Sequence, residues 1–217
     1  MNDHVDKSFA RAQCFESKIT DAPLHEIGGM SGVKTRHLYN NICSLNKPIR
    51  YLEVGSYTGS TICAALYKNP HVTAWAYDNF SEFDGTLEKL QENVQKYIPD
   101  ANLTIKKEDF FTATELPSEI DVFLYDGPHG RENHRDAIVK VWPHLTAESI
   151  IIVDDWNWSQ VRDGTYQGFL DVGAKIQKTW EIRHTWDNTH TMDSNTRAYE
   201  FWNGIAVFDV LKTDPPE

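Results

Sequence analysis

Apolar residues in this chain gather into short runs that end on acidic side chains. Ile49, Tyr51, Leu52 and Val54 lead into Gly55, and four later runs close on Asp78, Asp109, Asp126 and the pair Asp154-Asp155. Such continuous runs suit parallel strands buried on both faces. The pattern predicts strands at 49–54, 71–77, 103–109, 120–126 and 149–155. Between them, apolar residues recur at helical spacing. Leu38, Ile42 and Leu45 mark a helix over about 35–45, and Leu87, Leu90 and Val94 mark one over 85–97. Ile62, Ala64, Ala65 and Leu66 continue the Gly55 turn as a helix, Arg131 to Val141 forms another, and Phe169, Val172 and Ile176 predict one over 166–178. Pro48, Pro70 and Pro99 punctuate these elements.

Trp180–Trp186 and Glu200–Val210 read as two last strands with a polar loop, 187–199, between them. Being sequential, they are expected to pair as an antiparallel hairpin at the sheet edge. The fold class that follows is α/β, a doubly wound, mostly parallel sheet with a C-terminal antiparallel hairpin. Pro23, Gly28, Gly29 and Gly32 interrupt the first 33 residues, which predicts an N-terminal arm or lid (1–34) on a single domain spanning 1–217. The tail from Lys212 to Glu217 is expected to fray.

At 217 residues the chain has room for one well-cored domain. Its net charge of -11 argues against a nucleic-acid partner, because such binding draws on basic phosphate contacts. No apolar run spans a membrane, and the polar start Met1-Asn2-Asp3-His4 lacks a signal-peptide core. The expectation is a cytoplasmic protein acting on a small molecule, with a homodimer left open. Cys14, Cys43 and Cys63 lack metal-type spacing and read as reduced, the last two as packing residues.

The stretch from Glu53 to Thr61 reads as the strand, turn and helix start of a nucleotide-type cofactor site. Gly55 and Gly59 allow a tight turn and close ligand approach, and Ser60 or Thr61 can cap the helix. Asp78 lies 25 positions beyond Glu53, where an acid either meets a ribose hydroxyl pair or caps the next helix. Asp109 can bond an adenine amino group, with Phe110 and Phe111 either flanking the base or filling the core. The spacing acid-x-Gly-x-x-x-Gly resembles motif I of class I S-adenosylmethionine-dependent methyltransferases.

Asp126, Asp154 and Asp155 close neighbouring strands, and three converging carboxylates call for a hard cation such as Mg²⁺ between them. Tyr125-Asp126-Gly127-Pro128-His129, then Ile151-Ile152-Val153-Asp154-Asp155, resembles the family of macrocin-type and aminocoumarin sugar O-methyltransferases and cephalosporin-hydroxylase-like proteins. The resemblance covers roughly 51–155. It implies a Rossmann-like methyltransferase fold with Asp126, Asp154 and Asp155 holding Mg²⁺. It also implies an S-adenosylmethionine site around Glu53, Gly55, Ser56, Tyr57, Gly59, Ser60, Asp78, Asp109 and Phe110, and O-methylation of an acceptor with neighbouring hydroxyls. The proton acceptor is His129 or Asp126; His129 can instead cap a helix or touch the cofactor. Trp156, Trp158 and Trp186 either wall the acceptor pocket or pack in the core. Pro128, and Thr146–Ser149 in place of a glycine-rich turn, depart from the family pattern. Two other readings stand: a metal-independent N- or carboxyl-methyltransferase with His129 as base, and a protein that binds a nucleoside-type ligand without turnover.

Overall fold

The computed structural model describes residues 1–20 and 26–212; Pro23 and the tail 213–217 lie outside them. The strands are β1 (Ile49–Val54), β2 (Val72–Tyr77), β3 (Asn102–Lys106), β4 (Ile120–Tyr125), β5 (Leu145–Asp154), β6 (Lys175–Ile182) and β7 (Ile205–Leu211). They form one sheet in the order β3-β2-β1-β4-β5-β7-β6. The first five are parallel, and β7 runs antiparallel to both β5 and β6. The predicted doubly wound α/β architecture is thus present, with β7 inserted between β5 and the edge strand β6.

Among the described residues, helices cover both faces. α1 (Asn2–Gln13), α2 (Val33–Ile42), α3 (Ser60–Leu66) and α4 (Leu87–Tyr97) share a core with Tyr51, Ala74, Leu124 and Ile152. α5 (Arg131–Val141) and α6 (Ser159–Asp171) bury Ala137, Ile138, Val161 and Phe169 against Leu52, Phe123 and Ile151. Alternate strand residues therefore serve opposite cores, which is why the strands read as unbroken apolar runs.

Three expectations are corrected. The N-terminal segment is not an arm outside the core: α1 places Val5 and Ala12, both fully buried, in the first cluster. The helix expected over 166–178 is α6, which starts at Ser159 and stops at Asp171. Gly173 takes φ +66 while its N–H bonds Leu170 O and that of Ala174 bonds Phe169 O, a Schellman ending that a glycine two residues beyond the helix permits. The chain then re-enters the sheet, so Ile176 is a strand residue. Finally, neither Ser60 nor Thr61 caps α3; Gly59 holds the N-cap position at φ +92. A short helix, α7 (Ser194–Tyr199), interrupts the polar loop, with Asp193 accepting from Thr196 N–H at 2.7 Å. Cys43 and Cys63 are buried, as packing residues should be, and Cys14 is exposed.

Glu53, on β1, is wholly buried. Its oxygens accept from the Tyr51 hydroxyl at 2.7 Å and the Thr61 hydroxyl at 2.8 Å. Burial raises its pKa from 4.5 to about 7 against the pull of these bonds. Between those values the folded state holds a proton that the unfolded chain releases, so stability falls as pH rises through the window and levels off above it. Glu53→Gln should remove that decline. Its stability relative to the parent should grow by up to about 3 kcal/mol between roughly pH 5 and pH 8 in urea melts, whereas parallel profiles would show that Glu53 does not titrate there.

Candidate functional site

The parallel strands end level. Val54 pairs with Tyr77 and Tyr125, Tyr125 pairs with Val153, and Asp154 faces Ile205 at the start of β7. Whatever follows β1, β2, β4 and β5, and whatever precedes β7, meets at one edge. Gly55 has φ +88, and a Cβ there would collide with the Asp126 carbonyl oxygen. Only glycine lets the two strand-end backbones approach this closely. Beyond them opens a cavity of about 390 Å³.

On one side of this cavity lie Gly55, Ser56, Tyr57 and Ser60 from the β1–α3 turn, Asp78, Asp109 and Phe110. Asp78 accepts the N–H groups of Tyr57 and Phe80, each at 2.7 Å, so its carboxylate is fixed at the β2 end. Asp109 accepts the Phe111 N–H at 2.7 Å. Phe110 is 2% exposed and stacks on Phe123 at 5.9 Å, so it is chiefly core although it borders the cavity. Ser60 bonds Ser31 at 3.0 Å, and Ser31 accepts from the buried Arg36 guanidinium at 3.0 Å. Glu53 and Gly59 do not line the cavity: Glu53 braces the turn from beneath through Thr61, and Gly59 faces Leu90.

On the other side, the sheet brings together Asp126, His129, Asp154 and Asp155. The ligand atoms of Asp126, His129 and Asp155 lie within 4.8 Å of one another, a spacing able to hold a metal ion. That grouping has His129 where the sequence pointed to Asp154. Asp154 is 4% exposed, lines the cavity, and its Oδ1 has no hydrogen-bond partner. Burial, then the charge of neighbouring aspartates, pushes the carboxyls of Asp126 and Asp154 well above the usual carboxylate range.

Asp155 differs. Burial works against its charge, but His129 Nε2 at 2.7 Å and Asn203 Nδ2 at 2.7 Å hold it below its ordinary value. Burial likewise opposes a charged His129, and Asp155, with Asp154 behind it, outweighs that and raises its pKa. Asp155 stands at φ +57, a left-handed conformation that aspartate tolerates better than most residues. A second histidine close by, His134, is buried against Tyr125, and burial takes its pKa down to about 3.

Of the three tryptophans singled out, only Trp158 lines the cavity, 4.9 Å from the His129 ring. Trp156 is core, bonded to Glu181 at 2.8 Å, and Trp186 is 79% exposed. The sequence reading missed Trp202, His190, Asn79 and Met30 as lining residues. It also missed Asn203, whose only sequence signal is its place just before the last strand.

Residues 52–156 match the family described as methyltransferase domain. A comparison with curated protein sequences gives no significant match. Among solved structures, the chain is similar to a Klebsiella pneumoniae protein provisionally assigned as an O-methyltransferase, with TM-score 0.59, 13% identity and coverage of 95% of this chain and 89% of that one. It is also similar to precorrin-6y C5,15-methyltransferase from Geobacter metallireducens, with TM-score 0.57, 15% identity and coverage of 82% and 88%. A third is Pyrococcus horikoshii TYW2 in complex with MeSAdo, with TM-score 0.55, 14% identity and coverage of 86% and 65%. At such identities the likeness is one of fold. Over 52–156, just under half of its length, the chain is similar to this methyltransferase-domain family, and that stretch runs from β1 to the end of β5 in a sheet of the order given above.

Proposed function

We propose that this protein methylates an oxygen of a small acceptor bearing neighbouring hydroxyls, with a divalent cation such as Mg²⁺ at Asp126, Asp154 and Asp155. This is the chemistry of the macrocin-type and aminocoumarin sugar O-methyltransferases, which the strand-end motifs resemble. One observation carries the reading: the buried Asp154 oxygen has no partner in a cavity where three aspartates meet and, among the described residues, no lysine or arginine lines the wall. An all-carboxylate set with an imidazole beside it suits a hard cation. The same lack of basic side chains speaks against phosphorylated acceptors and nucleic acid.

The glycine turn, with Asp78 and Asp109, would hold S-adenosylmethionine in the same cavity that Asp126, Asp154 and Asp155 line. When bound, the cofactor would supply an electrophilic methyl group for an acceptor oxygen and a neutral thioether as leaving group. A bound divalent cation would supply two things, orientation of the neighbouring hydroxyls and a lowered hydroxyl pKa. The chain's own part is alignment and proton removal. With its Nε2 tied to Asp155, His129 presents Nδ1 as the accepting nitrogen. Trp158 offers a flat apolar face beside it.

The His129–Asp155 contact also favours a second reading, in which the pair acts as general base without a metal and the acceptor is a nitrogen or a carboxylate. Calorimetry for cofactor binding, together with turnover measured with and without chelator, separates these readings. S-adenosylmethionine should bind with or without Mg²⁺, and a chelator should stop turnover on small hydroxylated metabolites; turnover indifferent to chelator would leave the metal-free base. Failure of S-adenosylmethionine to bind would overturn both.

Asp154→Ala should cut metal-dependent turnover by about 100-fold or more while S-adenosylmethionine affinity stays nearly unchanged. A collapse of cofactor affinity would instead place Asp154 in the cofactor site. For His129→Ala the expected loss is about 10²-fold or more in turnover, with cofactor affinity again preserved. Turnover that survives this substitution would assign proton removal to another group.

A further inference from the structure

Behind Asp155 lies a buried polar network that belongs to neither the glycine turn nor the metal-type acids. Asn157 and Asn203 are both completely buried, and Thr191 is nearly so. Asn203 Oδ1 accepts from the Thr191 backbone N–H at 3.0 Å and from Asn157 Nδ2 at 2.9 Å. Asn157 Oδ1 accepts the His184 N–H at 2.8 Å, and its Nδ2 also donates to the Thr191 hydroxyl at 3.0 Å. A backbone N–H can only donate, so the Thr191 and His184 amides fix which end of each side-chain amide is oxygen. Asn203 Nδ2 must therefore face Asp155, and it does so at 2.7 Å from Oδ1.

This donor meets an acceptor with special demands. Asp155 is buried and held at φ +57, and its other oxygen takes His129 Nε2 at 2.7 Å. With one carboxylate oxygen claimed by Asn203, rotation of the group about its Cβ–Cγ bond is blocked, and His129 is aimed by what remains. The same asparagine is tied to the connection between β6 and β7, which supplies His190 and Trp202 to the cavity wall. We propose that Asn203 is a positioning residue. It locks the Asp155 carboxylate, through it sets the ring orientation and tautomer of His129, and fixes the 183–204 wall to that pair as one unit. The inference rests on the functional reading above for its link to methyl transfer, but its structural content stands apart from the metal.

The test uses the full chain and two variants. Asn203→Asp is isosteric and keeps an oxygen facing Thr191 and Asn157, but it replaces the donor to Asp155 by an acceptor. Asn203→Ala removes the side chain. The first readout is the ¹⁵N spectrum of the His129 ring, identified by its absence in His129→Ala and recorded above the imidazole titration range. The parent should show one tautomer with the proton on Nε2, and both variants a mixture. The second readout is Mg²⁺ or Mn²⁺ binding by calorimetry, expected to weaken by about 10- to 100-fold as for other groups that orient a ligand. S-adenosylmethionine affinity should hold within a few-fold, a separation that general loosening of the fold would not give. A parent-like His129 spectrum in Asn203→Asp overturns the proposal. If the parent binds no cation, the metal reading falls, and the tautomer readout still decides the role of Asn203. Should Asn203→Ala fail to fold, Asn203→Asp carries the test.

Discussion

Three carboxylates, Asp126, Asp154 and Asp155, are held together at the buried ends of adjacent strands, and most of the site's construction answers that constraint. Removing a carboxylate from water is unfavourable, and placing others beside it more so. The level register of β4 and β5 makes the crowding unavoidable, since Tyr125 pairs with Val153 and the next residues on each strand are acids. No lysine or arginine among the described lining residues relieves it. The relief comes from neutral or titratable donors instead. Asp155 is stabilised as an anion by His129 and Asn203, whereas Asp126 and Asp154 are pushed toward their protonated forms. One acid is thus kept charged and fixed while two are held toward their neutral forms, a division set by neighbours rather than by residue type.

A similar economy governs the glycine turn. Gly55 brings the end of β1 against the backbone of Asp126, so the glycine turn and the acids abut directly at the strand ends. Glu53 lies under that turn with two hydroxyl donors and no path to the cavity. Its acid character is spent on tying β1 to α3 through Thr61. The turn is therefore held from below by a buried acid and from the side by Asp78, which accepts the Tyr57 N–H.

The parts of the fold visible in the sequence are those whose burial is two-sided and local. β1, β4 and β5 announce themselves because both faces are apolar, and their terminal acids mark the edge where the site forms. Elements defined by one glycine or by tertiary pairing are harder. Phe169, Val172 and Ile176 keep helical spacing across a real break, and only Gly173 tells that the chain turns there. α1 lacks strong apolar periodicity because Val5, Ser8 and Ala12 make up its buried stripe, with a serine in the middle. Trp186 and Trp202 look alike in sequence, yet one stands in solvent and the other lines the cavity. Asn157 and Asn203 read as ordinary loop residues, because their partnership exists only once β7 lies beside β5.

That last point shows what the inverted C-terminal strands contribute. A further parallel strand beside β5 would bring its own C-terminal end to the site, and its preceding loop would lie at the far edge of the sheet. With β7 antiparallel, Ile205 faces Asp154, and the residues just before it arrive directly beside Asp155. The long connection from β6, which also ends at this edge, can then wrap over the cavity without crossing the sheet. Backbone bonds from Trp156 to Gly204 and from Asn157 to Asn203 continue the β5–β7 ladder past the strands themselves. The wall carrying His190 and Trp202 is consequently anchored to the sheet at Asn203 and Gly204, and through Asn203 at Thr191. Sequence variation in its exposed part can alter what the cavity admits, while the buried asparagines keep the acid and imidazole in place.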